Sequence, residues 1–216
     1  MKFEIGDNEL SYTVNDDKKR IRNRIDLTLR LTHLTNGVSD KKAFETLINI
    51  LSNKKLIGGT GYVNCGKKNP VVCFQEVPIY AVAESLEFEK KIGTGRSRYR
   101  GFGIRTTKAH VYNKGGRPIL YGNKDELMTL LKDENEFWRI GSVSYKAKSG
   151  DDEIVSFLHE REWRIKGAFK FEYKDIEIIL PANKYYKKFM KYCHENEMKD
   201  ILESVNGIIV LASVIG

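Results

Sequence analysis

The chain carries, at residues 25–33, the run Ile25-Asp26-Leu27-Thr28-Leu29-Arg30-Leu31-Thr32-His33, which alternates apolar and polar residues without interruption. Successive side chains of a β-strand point to opposite faces of a sheet, so this period of two predicts a half-buried strand. Its four apolar residues are expected to face the core, and His33 is the next residue on that inward face. A histidine there either donates a hydrogen bond to a ligand hydroxyl or is a satisfied core residue, and the pattern favours the second.

Helices and strands are mixed along the rest of the chain. Phe44, Leu47, Ile48 and Leu51 have the i, i+3, i+4, i+7 spacing of a helix face, with Ser39 or Asp40 as the N-cap. Further strands are predicted at residues 71–74, 101–104, 118–121, 162–165, 176–180 and 207–212, and short helices at 78–86 and 123–131. No regular βαβ alternation appears, so the predicted fold is α+β, a mixed sheet with flanking helices.

Length and composition limit the class of protein. The 216 residues suit a single domain over 1–216, with residues 1–24 as an N-terminal hairpin or extension. Hydrophobic residues make up 41% and charged residues 31%, as in folded soluble proteins. No run approaches the roughly 20 apolar residues of a membrane span, and the start lacks a signal-peptide pattern. Three irregularly spaced cysteines argue against disulfides and zinc. A cytoplasmic protein without a metal is expected.

The charge balance points to polyanionic partners. Thirty-seven Lys and Arg against 29 Asp and Glu leave a net charge of +8, and such an excess favours binding to phosphates. An equal alternative is that the surface is rich in lysine without binding any polyanion. One basic cluster lies at residues 18–24. A second, glycine-containing cluster spans residues 90–101, and its candidate nucleic-acid contacts are Lys90, Lys91, Arg96 and Arg98.

The most informative stretch for chemistry is His159-Glu160-Arg161-Glu162-Trp163-Arg164-Ile165. On a strand, Glu160, Glu162 and Arg164 would share one face, while Trp163 and Ile165 would pack into the core. Two carboxylates beside a guanidinium suit acid/base chemistry or the stabilisation of a cationic sugar. The alternative is an ion-paired edge strand in solvent.

Five motifs follow one another along the chain: Leu31-Thr32-His33-Leu34-Thr35, residues 72–78 (VCFQEVP), residues 99–104 (YRGFGI), residues 115–121 (GGRPILY) and residues 159–165 (HEREWRI). In this order, and over residues 29–181, they resemble the AbiGi-type abortive-infection proteins of bacteria. That family in turn resembles the DarT-like branch of the ADP-ribosyltransferase fold.

The resemblance implies a split, NAD-binding sheet of the ADP-ribosyltransferase kind, and an enzyme that acts as a toxin in abortive infection and phage defence. Its implied acceptor is nucleic acid or protein, and an antitoxin or other defence-system protein is an implied partner. The implied roles are NAD-ribose contact for His33 with Thr35, stacking on nicotinamide for Tyr80, pyrophosphate binding for Arg100 or Arg117, and catalysis for Glu162 with Glu160 as its partner. Replacing Glu162 by Ala is then expected to abolish activity and to keep the fold.

Two other functions remain open from the sequence. Asp151, Asp152, Glu160 and Glu162 suit a magnesium-dependent nuclease, whose activity would depend on the metal. Alternatively, the protein is a non-catalytic nucleic-acid-binding partner with Arg96, Arg98 and Arg100 on phosphates, in which case binding would depend steeply on salt and survive loss of both glutamates.

Overall fold

The structure is a computed structural model that describes residues 3–5, 8–10, 19, 24–60, 70–92, 99–146, 153–155 and 158–215. The sequence-predicted residues Arg96, Arg98, Asp151 and Asp152 lie outside these ranges. The described residues form an α+β fold with a mixed seven-stranded sheet and flanking helices, so the predicted fold class is confirmed.

The elements are numbered in chain order. The strands are β1 (Phe3–Ile5), β2 (Asn8–Leu10), β3 (Arg30–Asn36), β4 (Lys55–Ile57), β5 (Val71–Gln75), β6 (Tyr99–Thr107), β7 (Arg117–Pro118), β8 (Leu120–Gly122), β9 (Ile140–Ser142), β10 (Ser144–Lys146), β11 (Glu153–Val155), β12 (Glu162–Lys166), β13 (Ala168–Lys170), β14 (Ile176–Leu180) and β15 (Gly207–Val210). The α-helices are α1 (Asp40–Ser52), α2 (Ile79–Ile92), α3 (Lys108–Asn113), α4 (Lys124–Leu131), α5 (Asn183–Glu195) and α6 (Lys199–Ser204).

The central sheet has the strand order β15-β14-β6-β3-β5-β12-β7, and all its neighbours are antiparallel except the β14–β15 pair. Ile178 belongs to the larger core cluster, with residues of α1 and α5. Its neighbour Ile179 belongs to a second cluster, with residues of α2. Because adjacent strand residues face opposite ways, the two clusters lie on the two faces of the sheet.

Helix α1 follows its sequence signals closely. The Ser39 side chain caps it by accepting a hydrogen bond from the Lys42 amide at 3.2 Å. Its four predicted apolar positions are all buried in the larger core cluster. Burial of each such side chain contributes roughly 1.5–3 kcal/mol, so the apolar face fixes α1 against β3 and β6.

The first predicted strand begins later than the alternation indicates. Residues 25–29 are not a strand, and Ile25 is 82% exposed instead of buried. The backbone carbonyls of Ile25 and Asp26 accept hydrogen bonds from Tyr80 Oη at 2.7 Å and from the Arg161 guanidinium at 2.6 Å. These side-chain bonds replace the ladder of a neighbouring strand, so β3 starts only at Arg30.

Strands β3 and β5 are joined at one backbone pair, Thr32 opposite Gln75. Beyond it the two strands separate, although β3 pairs along most of its length with β6 and β5 pairs throughout with β12. The His33 ring bridges the gap, with Nδ1 2.7 Å from the Cys73 carbonyl oxygen. The sheet is therefore nearly divided into two halves, and the division creates a cleft.

Candidate functional site

A cavity of about 60 Å³ lies where β3 and β5 separate. It is lined by Thr32, His33, Leu34, Cys73, Phe74, Gln75, Tyr99, Glu160 and Glu162. Three of the residues predicted from the sequence, His33, Glu160 and Glu162, thus meet there although they come from distant parts of the chain. A volume of this size holds a few water molecules or one small polar group.

Glu162 is held by a buried ion pair with Arg164. The Arg164 Nε atom lies 2.8 Å from Glu162 Oε1, and its second terminal nitrogen lies 3.0 Å from Oε2. The remaining terminal nitrogen donates to the carbonyls of Trp138 and Ile140, both at 2.9 Å. The two side chains are 11% and 6% exposed. A bidentate pair whose cation is also bonded to the backbone holds the Glu162 carboxylate in one position.

The interpretation of this stretch as a solvated edge strand is wrong, because β12 lies between β5 and β7 and the ion pair is buried. The strand also begins only at Glu162. Glu160 ends a short 3-10 turn, Leu158–Glu160, and Arg161 follows with φ +44°. The Arg161 guanidinium donates to the Glu76 carbonyl at 2.9 Å, which stabilises this turn. Glu160 therefore reaches the cleft from a turn, and not from a shared strand face.

The opposite face of β12 is structural, as predicted. Ile165 is buried and Trp163 packs against the larger core cluster. Trp163 Nε1 donates to Glu76 Oε2 at 2.8 Å, and Glu76 Oε1 pairs with Lys108 Nζ at 2.6 Å. Both carboxylate oxygens of Glu76 thus have partners within the fold.

Two neutral groups lie beside Glu162. Burial, together with the Glu162 charge, raises the pKa of the Cys73 thiol to about 12. A thiol of that pKa is protonated at neutral pH, which excludes a thiolate nucleophile. Tyr121 Oη accepts a hydrogen bond from the Glu162 amide at 2.8 Å, and burial raises the pKa of this phenol too.

Thr32 provides an unsatisfied polar atom at the cleft. Its side chain is buried, with the residue 1% exposed, and its Oγ1 has no hydrogen-bond partner among the described residues. Buried hydroxyls in native proteins are almost always hydrogen-bonded. This atom is therefore placed to bind a polar group of a ligand or a water molecule.

His33 lies on the same face as Leu31, as the alternation predicts, and its ring packs edge-on against Phe74 with centroids 5.8 Å apart. Because a carbonyl oxygen only accepts, the 2.7 Å contact with Cys73 assigns the proton to Nδ1. The neutral ring then has Nε2 as an acceptor, so a ligand hydroxyl would donate to it.

We expect His33 to make the fold less stable in mild acid. Burial lowers the pKa of His33 below its ordinary value of 6.5, although its hydrogen bond to the Cys73 carbonyl opposes the shift. Below pH 6.5 the unfolded chain therefore binds a proton that the folded chain does not, and stability falls toward the lower folded pKa. Urea unfolding at pH 7 and pH 5 should show a smaller pH-dependent loss for His33→Gln than for the wild type.

His110 needs a separate comparison in this experiment, because burial lowers its pKa as well, despite the Asp175 charge. The variant His110→Gln measures that second contribution by itself. An unchanged pH dependence in His33→Gln would contradict the assignment of a neutral, buried His33.

Thr35, Tyr80 and Arg117, which were also predicted as site residues, lie elsewhere. Thr35 is buried and donates to the Phe102 carbonyl at 3.1 Å. Tyr80 lines a separate cavity of about 340 Å³. Arg117 donates to the carbonyls of Tyr112 and Gly116 and stacks over the Tyr112 ring, 4.0 Å from its centroid. None of these three lines the cleft.

Arg100 lines a neighbouring cavity of about 280 Å³, which we call the basic cavity. It is lined by Asp40, Lys90, Tyr99, Arg100, Pro181, Ala182, Lys184 and Tyr185. Tyr99 lines both this cavity and the cleft, so the two cavities are neighbours. Asp40, the acidic group here, accepts a hydrogen bond from Tyr185 Oη. Three cationic side chains around one cavity make it suited to anions.

Of the other predicted nucleic-acid contacts, Lys90 pairs with Glu87 at 3.5 Å, and Lys91 is exposed in the last turn of α2. The sequence predicted no role for Thr32 or Cys73, although both lie within the quoted motifs, whereas the polar pair Gln75-Glu76 at the end of its strand was a candidate to line a pocket, and Gln75 does line the cleft. Their place in the cleft depends on the separation of β3 from β5, for which residue periodicity gives no signal.

Among the described residues, no three His, Cys, Asp or Glu side chains form a group that could hold a metal ion. No helix within the same ranges is long and apolar enough to cross a membrane. Comparison with known proteins gives no match, since no family model, no curated protein and no solved structure corresponds to this chain.

Proposed function

We propose that the protein is an NAD-dependent ADP-ribosyltransferase that acts as a bacterial toxin in phage defence and modifies nucleic acid. The observation that carries the proposal is the cleft between β3 and β5, where His33, Tyr99, Glu160 and the fixed carboxylate of Glu162 meet. The role in abortive infection rests on the resemblance of the five motifs alone.

Two observations support NAD as the ligand of the cleft. The buried Thr32 hydroxyl has no partner among the described residues and is available to a ribose or amide group. The basic cavity, which shares Tyr99 with the cleft, is lined by Arg100 and Lys90, whose charges suit phosphates. At the cleft, β3 and β5 share one backbone pair and the His33–Cys73 hydrogen bond, so their facing backbone groups are mostly not bonded to each other.

NAD supplies an electrophilic ribose carbon whose bond to nicotinamide breaks with both electrons leaving on the nicotinamide. Glu162, oriented by Arg164, accepts hydrogen bonds from ribose hydroxyls and stabilises the positive charge that develops on the sugar. Glu160, at the turn beside it, takes the proton of the attacking acceptor group. Cys73 and Tyr121 remain neutral, so the charge at the site belongs to the two glutamates and Arg164.

The stacking role belongs to Tyr99 and not to Tyr80, because Tyr99 lines the cleft whereas the Tyr80 hydroxyl is bound to the Ile25 carbonyl at another cavity. Likewise Arg100 is preferred to Arg117 for the phosphates, since Arg100 lines the basic cavity together with Tyr99. The Arg100 guanidinium donates to the Gly37 and Val38 carbonyls, and these bonds hold it at the cavity wall. The nuclease alternative has less support, because Arg164 occupies both oxygens of Glu162.

Calorimetric titration with NAD tests this arrangement. We expect wild-type protein to bind NAD and Tyr99→Ala to bind it at least about tenfold more weakly, since stacking on an aromatic ring contributes roughly 1–3 kcal/mol per base. Tyr80→Ala is the matched control and should bind as the wild type does. Failure of the wild type to bind NAD would overturn the proposed function, and a larger loss in Tyr80→Ala would overturn the choice of Tyr99.

A further inference from the structure

Helix α5 carries four lysines, Lys184, Lys187, Lys188 and Lys191, at positions i, i+3, i+4 and i+7. This spacing places them along one face of the helix. All four are exposed, whereas Phe189 and Cys193 on the opposite face are fully buried. We call this face the lysine row.

The lysine row is poorly neutralised. Lys191 lies 3.6 Å from Glu195, but no ion pair joins the other three lysines to any described residue. Lys188 Nζ lies 4.3 Å from the centroid of the Phe44 ring, which holds this side chain against α1. In the first turn of α1, Asp40 accepts the hydrogen bond of Tyr185, and the exposed Lys41 follows it. The positive charge therefore lies along α5 itself.

The dimensions of the row suit a nucleic-acid strand. At 1.5 Å per residue, positions 184 to 191 extend about 10 Å along the helix axis, a length over which several ammonium groups can contact the phosphates of one strand. A membrane surface fits less well, because the other exposed positions of α5 are Asn183, Tyr186, His194 and Glu195. None of these is an aliphatic side chain that would enter a bilayer.

We infer that the lysine row is a binding surface for the phosphate backbone of nucleic acid. Lys184, at the N-terminal end of the row, also lines the basic cavity, and that cavity shares Tyr99 with the cleft that Glu160 and Glu162 line. The row therefore begins at a cavity that neighbours the candidate site. The role of this binding, which is to bring an acceptor strand to the enzyme, rests on the proposed function. The binding itself does not, because contact with the phosphate backbone requires no NAD.

The test is fluorescence anisotropy of a labelled single-stranded DNA of about 20 nucleotides, titrated without NAD over a range of salt concentrations. The row variant carries Lys187→Gln, Lys188→Gln and Lys191→Gln, and leaves Lys184 in place. The control variant carries Lys114→Gln, Lys132→Gln and Lys166→Gln, and it loses the same number of charges. These three lysines are exposed and lie at the C-terminal ends of α3, α4 and β12.

Three lost phosphate contacts should reduce the slope of log affinity against log salt by about 2, at roughly 0.7 per contact. We expect at least about tenfold weaker binding for the row variant at about 100 mM salt, and wild-type behaviour for the control. Equal losses in both variants, no binding by the wild type, or binding to anionic vesicles in preference to DNA would each overturn the inference. NAD titration of the row variant separates the two proposals, since only failure of the proposed function abolishes NAD binding.

Discussion

Replacing Arg164 by Met should lower the free energy of unfolding by about 3–5 kcal/mol, because the change leaves the Glu162 carboxylate buried without its partner. It also leaves the carbonyls of Trp138 and Ile140 without their donor. Urea or thermal unfolding followed by circular dichroism measures the loss. A 216-residue protein with an ordinary stability of about 5–15 kcal/mol would be close to unfolding.

The matched control is Arg24→Met, which removes a pair of similar geometry with Asp26 at the surface. Those side chains are 62% and 51% exposed, and water screens such a pair so strongly that its loss should leave the free energy of unfolding almost unchanged. The double variant Glu162→Leu/Arg164→Met should recover the part of the stability that was lost to the unpaired charge, although the Trp138 and Ile140 carbonyls still lack their donor. Similar losses in the free energy of unfolding for Arg164→Met and Arg24→Met would contradict this prediction, because the buried pair would then contribute no more to stability than the exposed one.

The second large effect concerns the two glutamates at the cleft. Glu162→Gln and Glu160→Gln should each lower the rate of NAD consumption by about 10²–10³, the usual result of removing one preorganised group that stabilises transition-state charge. Release of nicotinamide, followed by chromatography, measures this rate. The control Glu203→Gln changes an exposed glutamate of α6 and should be as active as the wild type.

The choice of Gln over Ala follows from the ion pair. The sequence led us to expect that Glu162→Ala keeps the fold, but that change would leave the Arg164 guanidinium buried without a carboxylate and create a cavity. Gln keeps the shape and one acceptor oxygen. Glu160 lies on a turn and is not part of the Glu162–Arg164 pair, so Glu160→Gln should reduce activity and leave that pair in place. Full activity in both Glu162→Gln and Glu160→Gln would show that neither carboxylate takes part in the reaction.

The sequence predicted the helices and strands whose position depends on neighbouring residues in the chain. The Ser39 cap and the apolar spacing of α1 are examples, as are the positions of β5, β12 and β14. The stretch 118–121 shows the limit. It was predicted as one strand, yet Pro118 pairs with Trp163 in the central sheet while Leu120 pairs in parallel with Ile140 in another. Periodicity gives no information about the partner of a strand.

The candidate site was predicted in part, for the same reason. His33, Glu160 and Glu162 lie in motifs that carry chemistry by composition, and the fold brings them to one cleft. Tyr80 and Tyr99 are indistinguishable as isolated aromatic residues, and only the fold places Tyr99 in the lining of both the cleft and the basic cavity. The bidentate hold of Arg164 on Glu162 depends on carbonyls of Trp138 and Ile140, more than 20 residues away along the chain.

Incubation of the purified protein with labelled NAD and cell lysate tests the central claim most directly. The account predicts that the wild type transfers the ADP-ribose label to material that nuclease digestion removes and protease digestion spares, and that Glu160→Gln does not. Label that only protease removes would contradict the nucleic-acid acceptor. Absence of transfer and of NAD consumption in the wild type would contradict the transferase itself.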